Sequence, residues 1–268
     1  MSWLPARALE DVADAGGDGR GRPRQRDHHP APPCSKNLRS NRSLLGSWGF
    51  VHAPHLPLSA GESVAIGLLT MIVVMIPLLW TAVEHFSTMT HEGAHALLAV
   101  ILGLTVTEIL LNRHSEGKTG IVGDGLRAVL VVLIGYLGPS LFGLGAAKLI
   151  SMGYPLAVLW LLVLLLVLVL SLLGRSFAVL SVPLAIALLY VILRYTHDGT
   201  EVVAGYVVAW LLLLSGLRTA IGHLIRSDSA DAADLRSLTH LPRALWSLVW
   251  LAGTAVALIA GGKLLVLG

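Results

Sequence analysis

The feature that most limits what this chain can fold into is a set of long apolar stretches with no charge at all: residues 64–83, 128–147 and 154–174. A bilayer core about 30 Å thick is crossed by roughly 20 mainly apolar residues in a helix, so each stretch is long enough to span. Stretches 176–193, 202–217 and 244–262 come close, and 85–111 is long enough but is interrupted by His91-Glu92-Gly93-Ala94-His95. Composition agrees: of 268 residues 55% are hydrophobic and 13% charged, with a mean hydropathy of +0.76, outside the range of a soluble domain. The expected fold class is all-α, a polytopic transmembrane bundle of about seven helices set in a lipid bilayer.

The charges are unevenly spread. Residues 1–60 hold eight Lys or Arg against five acidic residues, and the remainder balances eleven against eleven. The pI near 9.2 therefore describes a tail and some loop ends, and gives no reason to expect a nucleic-acid partner. Residues 1–58 read as a disordered basic tail, rich in Gly, Pro, Arg and His without apolar periodicity. No apolar run follows Met1 to suggest a secretory signal; alternatively, the true start lies downstream. Residues 59–268 form the membrane domain. The one cysteine, Cys34, excludes a disulfide framework and a cysteine-built zinc site, which leaves His and carboxylates for any metal.

Basic residues in short loops favour the cytoplasmic side. Arg113, Lys118 and Arg127 in one loop, Arg175, and Arg218, Arg226, Arg236 and Arg243 in another place those segments with the tail, N-terminus inside. Between the second and third apolar segments, TVTEILLNRHSEGKTGIV alternates weakly around a glycine-containing turn. Two readings fit it: a short surface hairpin, or continuation of the second helix through Leu111.

The chemistry is concentrated in residues 91–95. Positions i and i+4 share one face of a helix, so His91 and His95 can offer imidazole nitrogens to a single metal ion. Glu92 is rotated by about 100° from His91, off the ligand pair and near a water that it could deprotonate as general base. Gly93 and Ala94 leave room for a neighbouring backbone. Ionisable residues inside a membrane helix cost roughly 2.5–3.5 kcal/mol each on insertion scales and tend to be functional. The plainer alternative is a helix start outside the membrane, with His91 and Glu92 solvated. The pattern points to one Zn²⁺ per chain.

At these residues the chain resembles the site-2 protease family of intramembrane zinc metallopeptidases, most closely a divergent bacterial branch. His91–His95 resembles the family's metal and general-base motif, 105–122 its surface hairpin, and Gly135-Tyr-Leu-Gly-Pro-Ser140 its Gly-Pro motif; the likeness covers roughly 62–245. It implies a membrane-anchored polypeptide substrate and a location in the bacterial cytoplasmic membrane.

Two departures stand out. The family's third ligand usually comes from a Leu-Asp-Gly triplet, which is absent here, and the Asn that often follows the Gly-Pro pair is missing. In the divergent branch a Ser-Asp-Ala-like stretch followed by Leu-Thr takes the triplet's place. Within SDSADAADL, Asp231, four residues before Leu235, matches that pattern best. Asp228 and Asp234 read as solvated, with Asp228 or Ser229 as a helix cap.

The other histidines carry less. His85 suits a membrane boundary or a place behind the ligands, His114 and His197 suit loops, and His223 and His240 suit helix ends, where positive charge complements the dipole. Trp160, Trp210, Trp246 and Trp250 read as interface or packing residues. The reading is a zinc-dependent endopeptidase with Glu92 as base and His91, His95 and Asp231 as ligands. Its alternatives are an inactive membrane scaffold of the same fold and, third, a transporter, which should show matching polar breaks in two halves.

Overall fold

A computed structural model describes residues 57–111, 117–172, 178–195, 199–226 and 229–268, all within one unit, Leu44–Gly268. Except for its last two residues, the expected tail lies outside the described residues, as do His114, Arg175, His197 and Asp228.

Among the described residues, eight α-helices and one hairpin follow in chain order: α1 (Ala60–Met75), α2 (Pro77–Ile101), β1 (Thr105–Leu111), β2 (Gly117–Val122), α3 (Gly125–Ser151), α4 (Pro155–Ser171), α5 (Ala178–Tyr195), α6 (Thr200–Arg226), α7 (Ala230–Thr239) and α8 (Arg243–Leu267). The chain is thus an all-α membrane protein, with one small sheet among the described residues. Among the described residues three helices, α3, α6 and α8, are long and apolar enough to cross a bilayer alone. The apolar helix α1, the helix α4 and the Val182–Val191 part of α5 are shorter.

Local chemistry sets the boundaries. Ser59 caps α1 in a reciprocal box with Glu62, which satisfies amide groups that a helix start leaves unpaired. The uncharged run 64–83 does not form one helix. Ile76 is extended at φ −76°, ψ 120°, because a residue before proline is crowded out of the helical region, and Pro77 restarts the chain as α2. Gly153, at φ +86°, closes the tight turn into α4, which opens on Pro155, a residue that costs no hydrogen bond at a helix start.

Inside a bilayer, helix association relies on close packing, because lipid is as apolar as the side chains it would replace. Small residues provide it. Helix α3 is central, packed on α2, α6 and α8. Its Gly138 faces Ala94 of α2 with no space for a Cβ, and its Ser140 fits against Gly216 of α6. At the break between α1 and α2, the guanidinium of Arg218 donates to the Val74 carbonyl and lies 4.4 Å from the Trp80 ring centre.

These contacts also fix helix directions. Helix α1 runs parallel to α6, with Ser63 beside Trp210 and Val74 beside Arg218. Helix α3 runs against α6, with Gly143 beside Leu213 and Tyr136 beside His223. Helix α2 runs against α3, with Ala94 at Gly138 and His95 at Val131. Helices α1 and α2 therefore both descend from the Thr200 end of α6 towards its Arg226 end. The expected side of the tail itself falls on residues 1–56, outside the described residues. Residues 57–59 sit at the end of the bundle opposite the hairpin, because Pro77 bends the chain without reversing its overall sense.

Candidate metal centre

The centre is assembled from α2, α3 and α7, with the hairpin alongside. On α2, one turn of helix brings His91 and His95 to the same face, with Nε2 atoms 3.1 Å apart and rings edge to face at 4.7 Å. The His95 Nδ1 donates to the Val131 carbonyl at 2.6 Å. That bond selects the tautomer whose Nε2 lone pair faces the centre, as a carbonyl bonded to the far nitrogen of a metal-ligating histidine does.

The third group is Asp231. Its Oδ2 lies 3.1 Å from His91 Nε2 and 3.3 Å from His95 Nε2. The sequence explains how it arrives there. Ser229 caps α7, its hydroxyl accepting from the Ala232 amide at 3.2 Å. Asp231 then falls in the first turn, where the helix dipole favours negative charge. Leu235, one turn further on the same face, is fully buried in a cluster with Tyr136 and Trp250. Burial alone would push the Asp231 carboxyl up; the adjacent imidazoles of His91 and His95 outweigh it and hold the carboxyl well below the usual range.

The donor spacing tests whether a metal fits. Zinc–nitrogen and zinc–oxygen bonds of about 2.0–2.1 Å in a tetrahedron imply donor separations of about 3.3–3.4 Å. The three donors, all within 4.8 Å of one another, are already at 3.1–3.3 Å. The α3 backbone forms one wall, since a Cβ on Gly135 would run into both Nε2 atoms.

Glu92 points elsewhere, as its rotation on α2 requires. It is buried at 3% exposure, and its Oε2 accepts from the Thr119 hydroxyl at 2.5 Å. Gly117 lies so close to the other carboxylate oxygen that no side chain would fit there. Both residues belong to β2, which pairs antiparallel with β1 from Thr105↔Val122 to Leu111↔Gly117, with an irregularity between Val106 and Glu108. The hairpin is pinned from behind: Ile109 is fully buried and its amide donates to the Leu172 carbonyl at the end of α4 at 2.8 Å. Of the two readings of residues 105–122, the hairpin is the one observed.

The other candidates lie apart from this group. Asp234 is exposed on α7, and Glu84, seven residues before His91, is half-buried on α2. His85 has its Nδ1 at 3.2 Å from the Thr81 carbonyl. His223 is more than a dipole partner, because its ring meets that of Tyr136 at 4.5 Å. Trp250 is wholly internal, bonded from Nε1 to the Leu133 carbonyl at 2.9 Å. Two site neighbours escaped the sequence reading, Thr119 and Tyr136, whereas Ser229, a candidate helix cap by sequence, is the cap of α7. For Tyr136 a signal existed, its position beside Gly135; for Thr119 nothing pointed to Glu92 before the hairpin was folded.

No curated protein and no solved structure matches this chain. A family model described as Peptidase M50B-like matches residues 64–261, which include His91–His95, the α3 wall and Asp231. The chain belongs to the Peptidase M50B-like family.

Proposed function

We propose that the protein is a zinc-dependent intramembrane endopeptidase that hydrolyses a peptide bond in a membrane-anchored polypeptide. One observation carries the proposal: His91, His95 and Asp231, from two helices 140 residues apart in sequence, converge at tetrahedral donor spacing next to a buried Glu92. Two imidazoles and a carboxylate suit a borderline-soft ion better than calcium or magnesium, which want mostly oxygen ligands.

Zinc held by His91, His95 and Asp231 would supply Lewis-acid chemistry at the scissile carbonyl. The protein's own part is proton handling and orientation. Glu92 accepts a proton from the attacking water and passes it to the leaving amine, the usual work of a general base and acid. The Thr119 hydroxyl fixes one Glu92 oxygen, so the carboxylate presents a defined lone pair. The His95–Val131 bond keeps that imidazole in the ligating tautomer.

Location supports a membrane-anchored substrate. The centre lies in the second half of α2, inside a bundle of apolar helices. Lys118, Arg127, Arg226, Arg236 and Arg243 gather at the hairpin end, while Glu62, Lys148, Glu201 and Lys263 mark the other. By the positive-inside tendency the hairpin end faces the cytoplasm of a bacterial cell, within its cytoplasmic membrane.

Metal analysis of detergent-purified wild type beside the His91→Ala/His95→Ala double variant tests the proposal, together with cleavage of a membrane-anchored reporter. About one zinc per chain, expected of a single HExxH site, with loss of both metal and cleavage in the variant, is the expected result. Metal-free wild type that still cleaves would overturn it, and zinc-loaded protein without cleavage would favour a scaffold.

A further inference from the structure

Tyr136 of α3 touches His91 of α2, Ser229 at the start of α7 and Trp250 of α8. Its ring meets His91 edge to face at 4.5 Å, and Trp250 of α8 packs on it at 4.4 Å. Its hydroxyl oxygen accepts a hydrogen bond from Ser229 Oγ at 3.2 Å. Ser229 is the cap of α7 and accepts in turn from the Ala232 amide. A directed chain thus runs from the Ala232 amide to the Ser229 hydroxyl to the Tyr136 oxygen, and it brackets Asp231 at the first turn of α7. Tyr136 and Ser229 are both buried, so a hydroxyl there that loses its partner is not compensated by bulk water.

From this geometry we infer that Tyr136 is a positioning residue that holds His91 and Asp231 in register, its ring against the imidazole and its hydroxyl against the cap of the helix carrying the carboxylate. Asp231 reaches the two imidazoles from a ten-residue helix, too short to be stable by itself. Its docking rests on the buried Leu235 and on the Ser229–Tyr136 bond. The first sets how deep α7 sits, and the second sets the rotation of its first turn, which decides where Oδ2 points. The inference rests on the metal-site reading above and deepens it.

The test is zinc affinity, measured by competition with a chromophoric chelator on the full-length protein in detergent. Tyr136→Phe keeps the ring and removes only the oxygen that Ser229 bonds. It should weaken zinc binding by about 10–100-fold, the usual effect of losing a group that orients a ligand. Ser229→Ala, which also removes the cap bond to the Ala232 amide, should weaken it at least as much, Ser229→Thr should restore it, and Tyr136→Phe/Ser229→Ala should lose no more than Ser229→Ala alone, because that variant already lacks the Ser229–Tyr136 bond. A purely structural role would lower the melting temperature of all three hydroxyl-deleted proteins and leave zinc affinity at the wild-type value. Wild-type affinity in Tyr136→Phe, or losses that add in the double variant, would overturn the inference while leaving the metal site standing. Wild-type protein that binds no zinc would overturn the metal-site reading itself, and the inference with it.

Discussion

Thr119 donates its hydroxyl hydrogen to Glu92 at 2.5 Å, joining the second strand of a surface hairpin to the carboxylate next to His91 on the helix that carries both imidazoles of the centre. The general base of the proposed reaction is therefore held from outside its own helix. Hydrogen bonds to charged groups contribute about 1.5–3 kcal/mol, so the strand has real leverage over the carboxylate. Thr119→Val, which keeps the shape and removes the hydroxyl, should lower kcat roughly ten- to hundredfold on that basis and leave zinc content intact. Thr119→Ser should recover most of the rate. Full activity in Thr119→Val would remove the hairpin from any role at the base.

Glu92→Gln separates base from ligand. The amide is nearly isosteric, none of the three metal donors is touched, and the proton acceptor is gone. Zinc should remain at about one per chain, as one site implies, while reporter cleavage falls by at least about 10²–10⁴-fold. Loss of zinc in this variant would show that Glu92 is a ligand.

Asp231 and Asp234 lie three residues apart on the same short helix but should behave oppositely. Asp231→Ala removes a donor 3.1–3.3 Å from both Nε2 atoms and should abolish zinc retention and cleavage, since two imidazoles make an incomplete catalytic site. Asp234→Ala alters an exposed carboxylate and should change neither. Zinc analysis of the two purified variants decides the matter.

Two glycines of α3 make a matched pair. A Cβ at Gly135 would collide with the ligating nitrogens, whereas Gly145 has nothing within 4 Å. Gly135→Ala should lose zinc; Gly145→Ala should keep it and stay folded, since alanine suits a helix interior better by about 0.5–1 kcal/mol. Equal zinc content in the two would place the metal away from the α3 wall.

Helix directions predict topology. Reporters fused at Ser59 and at Gly199 should sit on the same face of the membrane, and a reporter at Asp124 on the other. Accessibility labelling at the three positions gives the answer directly. Ser59 sharing a face with Asp124 would mean that α1 and α2 each cross separately.

What the sequence determined alone follows from short-range rules. An uncharged run of membrane length, 128–147, announced α3, the shorter run 202–217 announced α6, and helical periodicity put His91 and His95 on one face with Glu92 turned away from it. A proline does the same for the break at Ile76–Pro77, although hydropathy averaged over 64–83 conceals it. Asp231 was legible only by likeness to a pattern, because nothing local distinguishes it from Asp228 or Asp234.

Tertiary structure decided the rest. Three carboxylates in seven residues are chemically alike, and Asp231 differs because the cap at Ser229 and the burial of Leu235 turn its side of α7 towards α2. Thr119 became a partner of Glu92 only when Ile109 anchored the hairpin on the end of α4. The direction of α1 could not be read from basic-residue counts, since a count assigns ends to sides and is blind to whether two apolar segments reverse or continue. That choice came from side chains meeting across the bundle, Ser63 with Trp210 and Val74 with Arg218, contacts between residues about 145 positions apart that no local pattern encodes.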